Sequence, residues 1–201
     1  SGADDTDRKV WLRLIDTSGN PIGAQINPSE SANRCQNLSV AANSAGAFVA
    51  IWEEWNPASD RFELRVRSYA ANGTPLTDSL PFVSPSPGQA DRSPLVACDA
   101  NGSCVVAWER QSDDAATAAV WLASFSLVSP WSVSAYEYRA ATPENVAVES
   151  MIAEGIADFE LTWEKLSSGN ESLGVSGTQL NASALPVGSE YDIRGPWVET
   201  E

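Results

Sequence analysis

Residues 40–53 read VAANSAGAFVAIWE and residues 96–109 read VACDANGSCVVAWE, two copies of one pattern aligned without a gap. A third copy, MIAEGIADFELTWE at residues 151–164, keeps the ending but lacks the glycine at the turn position. Trp52, Trp108 and Trp163 stand 56 and 55 residues apart, and a glutamate follows each one directly: Glu53, Glu109 and Glu164. A second landmark holds the same period. Ile15, Tyr69, Phe125 and Leu180 each close an alternating segment, at gaps of 54, 56 and 55 residues. Two independent landmarks on one period mark a repeat protein.

Each repeat parses into strands. A first strand (Leu38–Ala42, Leu95–Cys98) runs into a turn, Asn43–Gly46 or Asp99–Gly102, made of residue types that tolerate positive φ. The second strand, Phe48–Trp52 or Cys104–Trp108, is apolar without alternation, as in a strand covered on both faces. The third alternates: Leu64 and Val66 oppose Arg65 and Arg67, and Val10, Leu12 and Leu14 oppose Trp11 and Arg13. Turns at Gly19-Asn20-Pro21 and Gly73-Thr74-Pro75 lead to a short fourth strand near Gln25–Asn27 or Pro81–Ser84. No apolar stripe persists at helical spacing. The reading is all-β, a β-propeller-like array of four-stranded antiparallel blades with about 3.5 repeats.

Composition fits. The chain has 201 residues, 43% of them apolar, and no apolar run of 18 residues, so membrane insertion is not expected. Its net charge of −15 opposes binding to phosphate backbones, and ten Arg and two Lys are scattered, so nucleic acid is not an expected partner.

The repeats resemble those of large secreted bacterial surface proteins, about 55 residues long. The resemblance rests on Gln89 to Ala97 (QADRSPLVA), Gly102 to Trp108 (GSCVVAW) and Arg67 to Leu76 (RSYAANGTPL), and it covers about residues 8–193. It implies a propeller-like secreted or cell-surface protein and brings no catalytic residues. The sialidase Asp-box is a similar turn motif, but here the tryptophan follows the glycine by six residues rather than three.

The phase divides the chain into an acidic N-terminus with an outer half-blade (1–34), and repeats at 35–91, 92–144 and 145–201. The half-blade leaves open strand edges, which attract partners. Three resolutions are expected: a fragment, closure as a small ring, or pairing with other subunits.

The absence of histidine removes Ser-His-Asp and Cys-His catalysis, and no phosphate-cradling glycine motif occurs, so no cofactor is expected. Two carboxylates could still hydrolyse a glycan. Glu53, Glu109 and Glu164 recur in every copy, however, and a recurring residue reads as architecture. Trp52, Trp108 and Trp163 read the same way, as do Trp11 and Trp121 at one third-strand position. Glu54, in Trp52-Glu53-Glu54-Trp55, occurs once and is the better catalytic candidate, although a solvated loop carboxylate is its plain reading. Asp4-Asp5-Thr6-Asp7 and Ser112-Asp113-Asp114 fit no calcium loop, and no metal site is expected. Trp55, Trp131 and Trp197 lie outside the repeated position; they read as buried rings capping the sheet ends or, as the candidate binding aromatics, as side chains that stack on sugars or anchor a protein.

Cys98 and Cys104 flank one turn, replacing Ala42/Phe48 and Ala153/Phe159 of the other copies. This paired substitution points to a disulfide and an oxidising compartment, while Cys35 is left over and expected to be buried. Asn37, Asn72, Asn101, Asn170 and Asn181 stand in N-x-[ST] sequons and are possible glycosylation sites. The functional expectation is a non-catalytic, secreted or cell-surface protein acting in adhesion or extracellular assembly through strand pairing, with protein subunits or surface glycans as partners. The alternative is the propeller domain of a carbohydrate-binding or glycan-hydrolysing enzyme.

Overall fold

A computed structural model describes residues 8–83, 88–112, 118–127, 134–138, 145–154, 158–166 and 172–194. Among these there is no helix. The strands form four antiparallel sheets, each a simple meander in chain order. A two-stranded sheet holds β1 (Leu12–Ile15) and β2 (Pro21–Ile26). The first four-stranded sheet holds β3 (Cys35–Ala42), β4 (Phe48–Asn56), β5 (Arg61–Tyr69) and β6 (Leu80–Pro81). The second holds β7 (Gln89–Cys98), β8 (Ser103–Ser112), β9 (Ala118–Ser126) and β10 (Ser134–Tyr138), and the third β11 (Asn145–Glu154), β12 (Asp158–Leu166), β13 (Ser172–Asn181) and β14 (Pro186–Arg194). The all-β, propeller-like reading holds.

One turn chemistry opens these hairpins. Asn43 Oδ1 accepts the backbone N–H groups of Ala45 and Ala47 at 3.1 and 3.0 Å, and Asp99 Oδ1 those of Asn101 and Ser103, both at 2.9 Å. Gly46 and Gly102 complete the two turns at φ of 80° and 87°, a region that side chains with a Cβ avoid. The side-chain oxygen replaces a backbone acceptor and fixes the register of the strands that follow.

The meanders stack face to face. Cys35, Phe48, Ala50, Trp52 and Tyr69 cover Leu12, Leu14 and Ile26 of the two-stranded sheet. Val49, Ile51, Leu64 and Val66, on the opposite face of the first four-stranded sheet, meet Val96, Val106, Trp108 and Phe125. Ala97, Val105, Ala107 and Leu122 then meet Phe159, Leu161 and Trp163. Each repeated tryptophan is fully buried against the preceding sheet, where a large apolar side chain contributes roughly 1.5–3 kcal/mol. Trp11 departs from the expectation: it precedes β1 and is 53% exposed, whereas Trp121 packs against Trp108 with ring centroids 6.2 Å apart.

The first strands β3, β7 and β11 lie side by side. A hydrogen bond from Val96 N to Ser39 Oγ (3.1 Å) ties β7 to β3. All three strands carry a bulge, between Gln36 and Ser39, Arg92 and Leu95, and Val148 and Ser150. Asn37 and Ser93 sit in the first two bulges at φ of 50° and 51°, so the chain accepts left-handed backbone there. These bulges lie beside the strand ends that carry the polar side chains.

Candidate functional site

The repeat supplies its own reference. A side chain present at the same register in every sheet serves the architecture, and one that departs needs a separate reason. Three successive rows across the first four-stranded sheet, counted outward from Trp52, separate the two cases.

The first row belongs to Glu53. Its carboxylate is fully buried and accepts from Gln36 Nε2 at 2.7 Å, Asn37 Nδ2 at 2.6 Å and the Ser93 backbone N at 2.7 Å. Ser93 lies in the β7 bulge, so Glu53 joins the first and second four-stranded sheets. Three donors leave it no part as a mobile proton carrier.

The second row sets Cys35, Glu54 and Glu63 abreast on β3, β4 and β5. The same register carries Asp91, Arg110 and Ala119 in the second sheet, and Val146, Lys165 and Gly174 in the third. There the second strand presents a cation; here it presents a carboxylate facing another. Glu54 is 8% exposed and its Oε2 accepts from Trp52 Nε1 at 3.1 Å and Cys35 Sγ at 3.8 Å. Glu63, half-buried, accepts from Ser59 Oγ at 2.8 Å. Burial pushes the Cys35 thiol up, so it is a poor nucleophile, and it is buried as expected.

The third row sets Arg34, Trp55 and Phe62 abreast. Trp55 N donates to Arg34 O at 2.8 Å, and Trp55 opposes Phe62 across β4 and β5. The two rings meet edge to face at 76° with centroids 5.3 Å apart, and the Arg34 guanidinium sits 5.1 Å from the first and 4.8 Å from the second. Its Nε is buried and makes no hydrogen bond. In the second and third sheets this row reads Ala90, Gln111, Ala118 and Asn145, Leu166, Ser172. The row faces the second sheet, toward which Arg61 Nη1 reaches to donate to Gln89 O at 2.7 Å. Adjacent rows point to opposite faces, so the two carboxylates and the Arg34 cluster flank one strand end from its two sides.

Of the candidate aromatics, Trp55 is in this cluster, while Trp131 and Trp197 lie outside the described residues, as do Asn170, Asp113 and Asp114 and the acidic stretch 4–7. Asn72 and Asn101 are exposed on turns, and Asn181 Oδ1 accepts two backbone N–H groups of its own turn. Asn37 Nδ2 donates to Glu53 Oε1. Cys98 and Cys104 are joined, with Cα atoms 4.0 Å apart. Among the described residues no group of three His, Cys, Asp or Glu side chains could hold a metal, and no helix is long and apolar enough to cross a membrane. Arg34, Phe62 and Glu63 were not singled out from the sequence. The available signal was the departure of all three from the residues 55–56 positions along.

No family model and no curated protein sequence matches this chain. Solved structures do. One comes from the GH130 family of mannoside phosphorylases, which contains glycoside hydrolases that target β-1,2 mannosidic linkages in Candida mannan. It superposes with a TM-score of 0.51 at 13% identity, over 98% of this chain and 64% of its own. Another is a glycosyl hydrolase from Bacteroides ovatus, with a TM-score of 0.50 at 10% identity over 96% of this chain and 60% of its own. The chain thus spans under two thirds of either structure, and at these identities the likeness establishes the propeller-like fold alone. No secreted bacterial surface repeat protein is identified. The expectation of a non-catalytic adhesion or assembly module, and of a chain that is not an enzyme, is corrected here. Both of these structures carry glycoside-hydrolase names.

Proposed function

We propose that this chain forms part of the β-propeller domain of a secreted, glycan-hydrolysing protein, with the strand ends at residues 34–35, 54–55 and 62–63 facing the sugar. The observation that carries the proposal is the double break in the repeat. Two successive rows depart from both other sheets, and one sets Glu54 directly against Glu63. Like charges opposed across a sheet destabilise it by roughly 0.2–1 kcal/mol, so the pairing is not there for stability. Glycoside hydrolysis uses two carboxylates in different surroundings, one as acid and one as nucleophile or base. Glu54 is the more buried and is held by the Trp52 indole; Glu63 is more open and is held by the Ser59 hydroxyl. Trp55 offers a flat apolar face on which a pyranose ring can stack. Secretion rests on the Cys98–Cys104 disulfide, which persists in oxidising compartments.

The test is hydrolysis of a panel of end-labelled neutral and acidic oligosaccharides by the wild type and by Glu54→Gln, Glu63→Gln and Trp55→Ala. Loss of an acid or base group lowers turnover by about 100-fold or more, and loss of the stacking ring weakens binding. A panel with no binding and no cleavage sinks the proposal. So does cleavage that survives both glutamate substitutions.

A further inference from the structure

The proposed sugar-facing end holds a cation whose donors are unmatched. Arginine carries five N–H donors. The other arginines at or near burial use theirs: Arg61 on Ser59 O and Gln89 O, Arg65 on Ser79, Arg67 on Thr77 O, Pro28 O and Glu30, and Arg110 on Asp91. Arg13 and Arg92 are exposed, where water serves. Among the arginines whose side chains are described, Arg34 alone has its Nε buried without an acceptor. Nothing anionic in the described residues lies within ion-pair distance of it. Meanwhile Trp55 and Phe62 lie 5.1 and 4.8 Å from its guanidinium carbon, and its two Nη groups, which no described residue engages, are the ones a ligand can reach.

The second sheet shows what such an edge accepts in this fold. Arg110, one register inward, presents Nε and Nη2 to Asp91 Oδ1 and Oδ2 at 2.6 and 2.8 Å, while its guanidinium lies 4.0 Å from the Trp121 ring. There, an arginine stacked on an aromatic ring is completed by a planar carboxylate from the protein. At Arg34 the ring contacts are present and the carboxylate is not supplied. We infer that a carboxylate of the glycan completes it, so that Arg34, Trp55 and Phe62 form a subsite for a uronic acid residue. This rests on the glycan-directed reading above and names its substrate class. The two Nη groups of the planar fork match a carboxylate in two bonds at once, whereas a neutral sugar offers them no charge. The net charge of −15 works against a polyanion, since a whole acidic chain would meet the field of the protein. One acidic sugar among neutral ones, read at short range, avoids most of that repulsion.

The probes are a uronate-terminated oligosaccharide, its methyl ester and the matching neutral oligosaccharide, titrated against the wild type, Arg34→Lys and Arg34→Met by calorimetry. The wild type is expected to bind the acid about 10- to 100-fold more tightly than the ester, as charge-assisted paired bonds supply. Arg34→Lys keeps the charge but loses the fork, and is expected to lose about tenfold of that preference. Arg34→Met should abolish the preference, bringing the affinity for the acid to that for the ester, while the thermal midpoint stays in place. Equal wild-type affinity for acid and ester, or a preference untouched in Arg34→Lys, overturns the inference and leaves the glycan reading standing. Failure of all three sugars to bind overturns the glycan reading and this inference with it. Displacement of the uronate by millimolar inorganic phosphate or sulfate as readily as by free glucuronate also overturns it, because the site would then recognise any oxyanion.

Discussion

The first and second four-stranded sheets start from the same sequence pattern and treat charge in opposite ways. In the second, the row beyond the tryptophan closes on itself. Asp91 and Arg110 form a bidentate pair at 0% and 8% side-chain exposure, and Cys98–Cys104 staples the far end of the same hairpin. In the first, the corresponding row holds Cys35, Glu54 and Glu63, Ala42 and Phe48 stand where the second sheet has its bridge, and Arg34 Nε is buried without an acceptor. At this register the second sheet pairs a carboxylate with an arginine, whereas the first sets two carboxylates against each other. Within a repeat, that contrast marks the first sheet as the one that departs from the shared pattern, because both are built on the same hairpin backbone.

The contrast breaks most visibly at the buried pair. Asp91→Ala leaves the Arg110 guanidinium buried without its counter-charge, an error that costs about 3–5 kcal/mol. Chemical denaturation measures it as a lowered midpoint at unchanged slope. Replacing both partners, Asp91→Ala with Arg110→Met, is expected to recover most of the loss, since no charge is then stranded. If Asp91→Ala costs under about 1 kcal/mol, the pair is not the closed, dry contact described, and the contrast between the two rows falls away.

The staple comes next. The bridge spans six positions in sequence, and closing so short a loop removes chain entropy worth about 2 kcal/mol from the unfolded state. The Cys98→Ala, Cys104→Ala double variant should fall by about that amount, and by no more, because alanine is what the first sheet already carries at one of the two positions (Ala42). A much larger loss would mean that the hairpin depends on the bridge to form, and that its turn does not fold by the same chemistry as Asn43–Gly46.

Much of this was legible in the chain, and the part that was not has a physical reason. The recurring Trp-Glu step, the Asx turns and the Cys98/Cys104 substitution are local patterns, and each appears in the structure as a buried ring, a hairpin and a bond. Glu54 and Trp55 stood out as single occurrences. Arg34, Phe62 and Glu63 did not, because their meaning lies in cross-strand register. Arg34 meets Trp55, and Glu63 meets Glu54, only after β3, β4 and β5 are laid side by side. The bulges at Asn37 and Ser93 add a residue to the first strands, so pairing cannot be counted straight from the turns. Trp11 failed for a related reason: a shared sequence position does not guarantee a shared neighbour.

The smallest expected effect converts one sheet toward the other at a single atom. Tyr69 of the first sheet occupies the place of Phe125 in the second, and its ring stacks on Phe48 at 4.8 Å. Burial, partly offset by the nearby Arg67 charge, pushes its phenol up to about 12 from an ordinary 10.0. A raised value means that the folded state holds the proton more tightly than the unfolded chain does. The contribution to stability is therefore intact below pH 10 and is lost as pH rises toward about 12. Tyr69→Phe keeps the stack and removes the titration. At pH 7 the variant should lie within about 0.5 kcal/mol of the wild type, whereas above pH 10 the wild type should lose stability faster, which urea midpoints along a pH series would show. Two other groups also titrate upward. For Lys165, burial works downward but is outweighed by hydrogen bonds to Glu190 and Asp192, and the Cys35 thiol is raised by burial. Both are present in wild type and variant alike, so they cancel in the difference and leave the Tyr69 phenol as its source. Superimposable pH curves would mean that the hydroxyl reaches water, and that the first sheet is less tightly packed against the two-stranded sheet than Phe48, Trp52 and Tyr69 indicate.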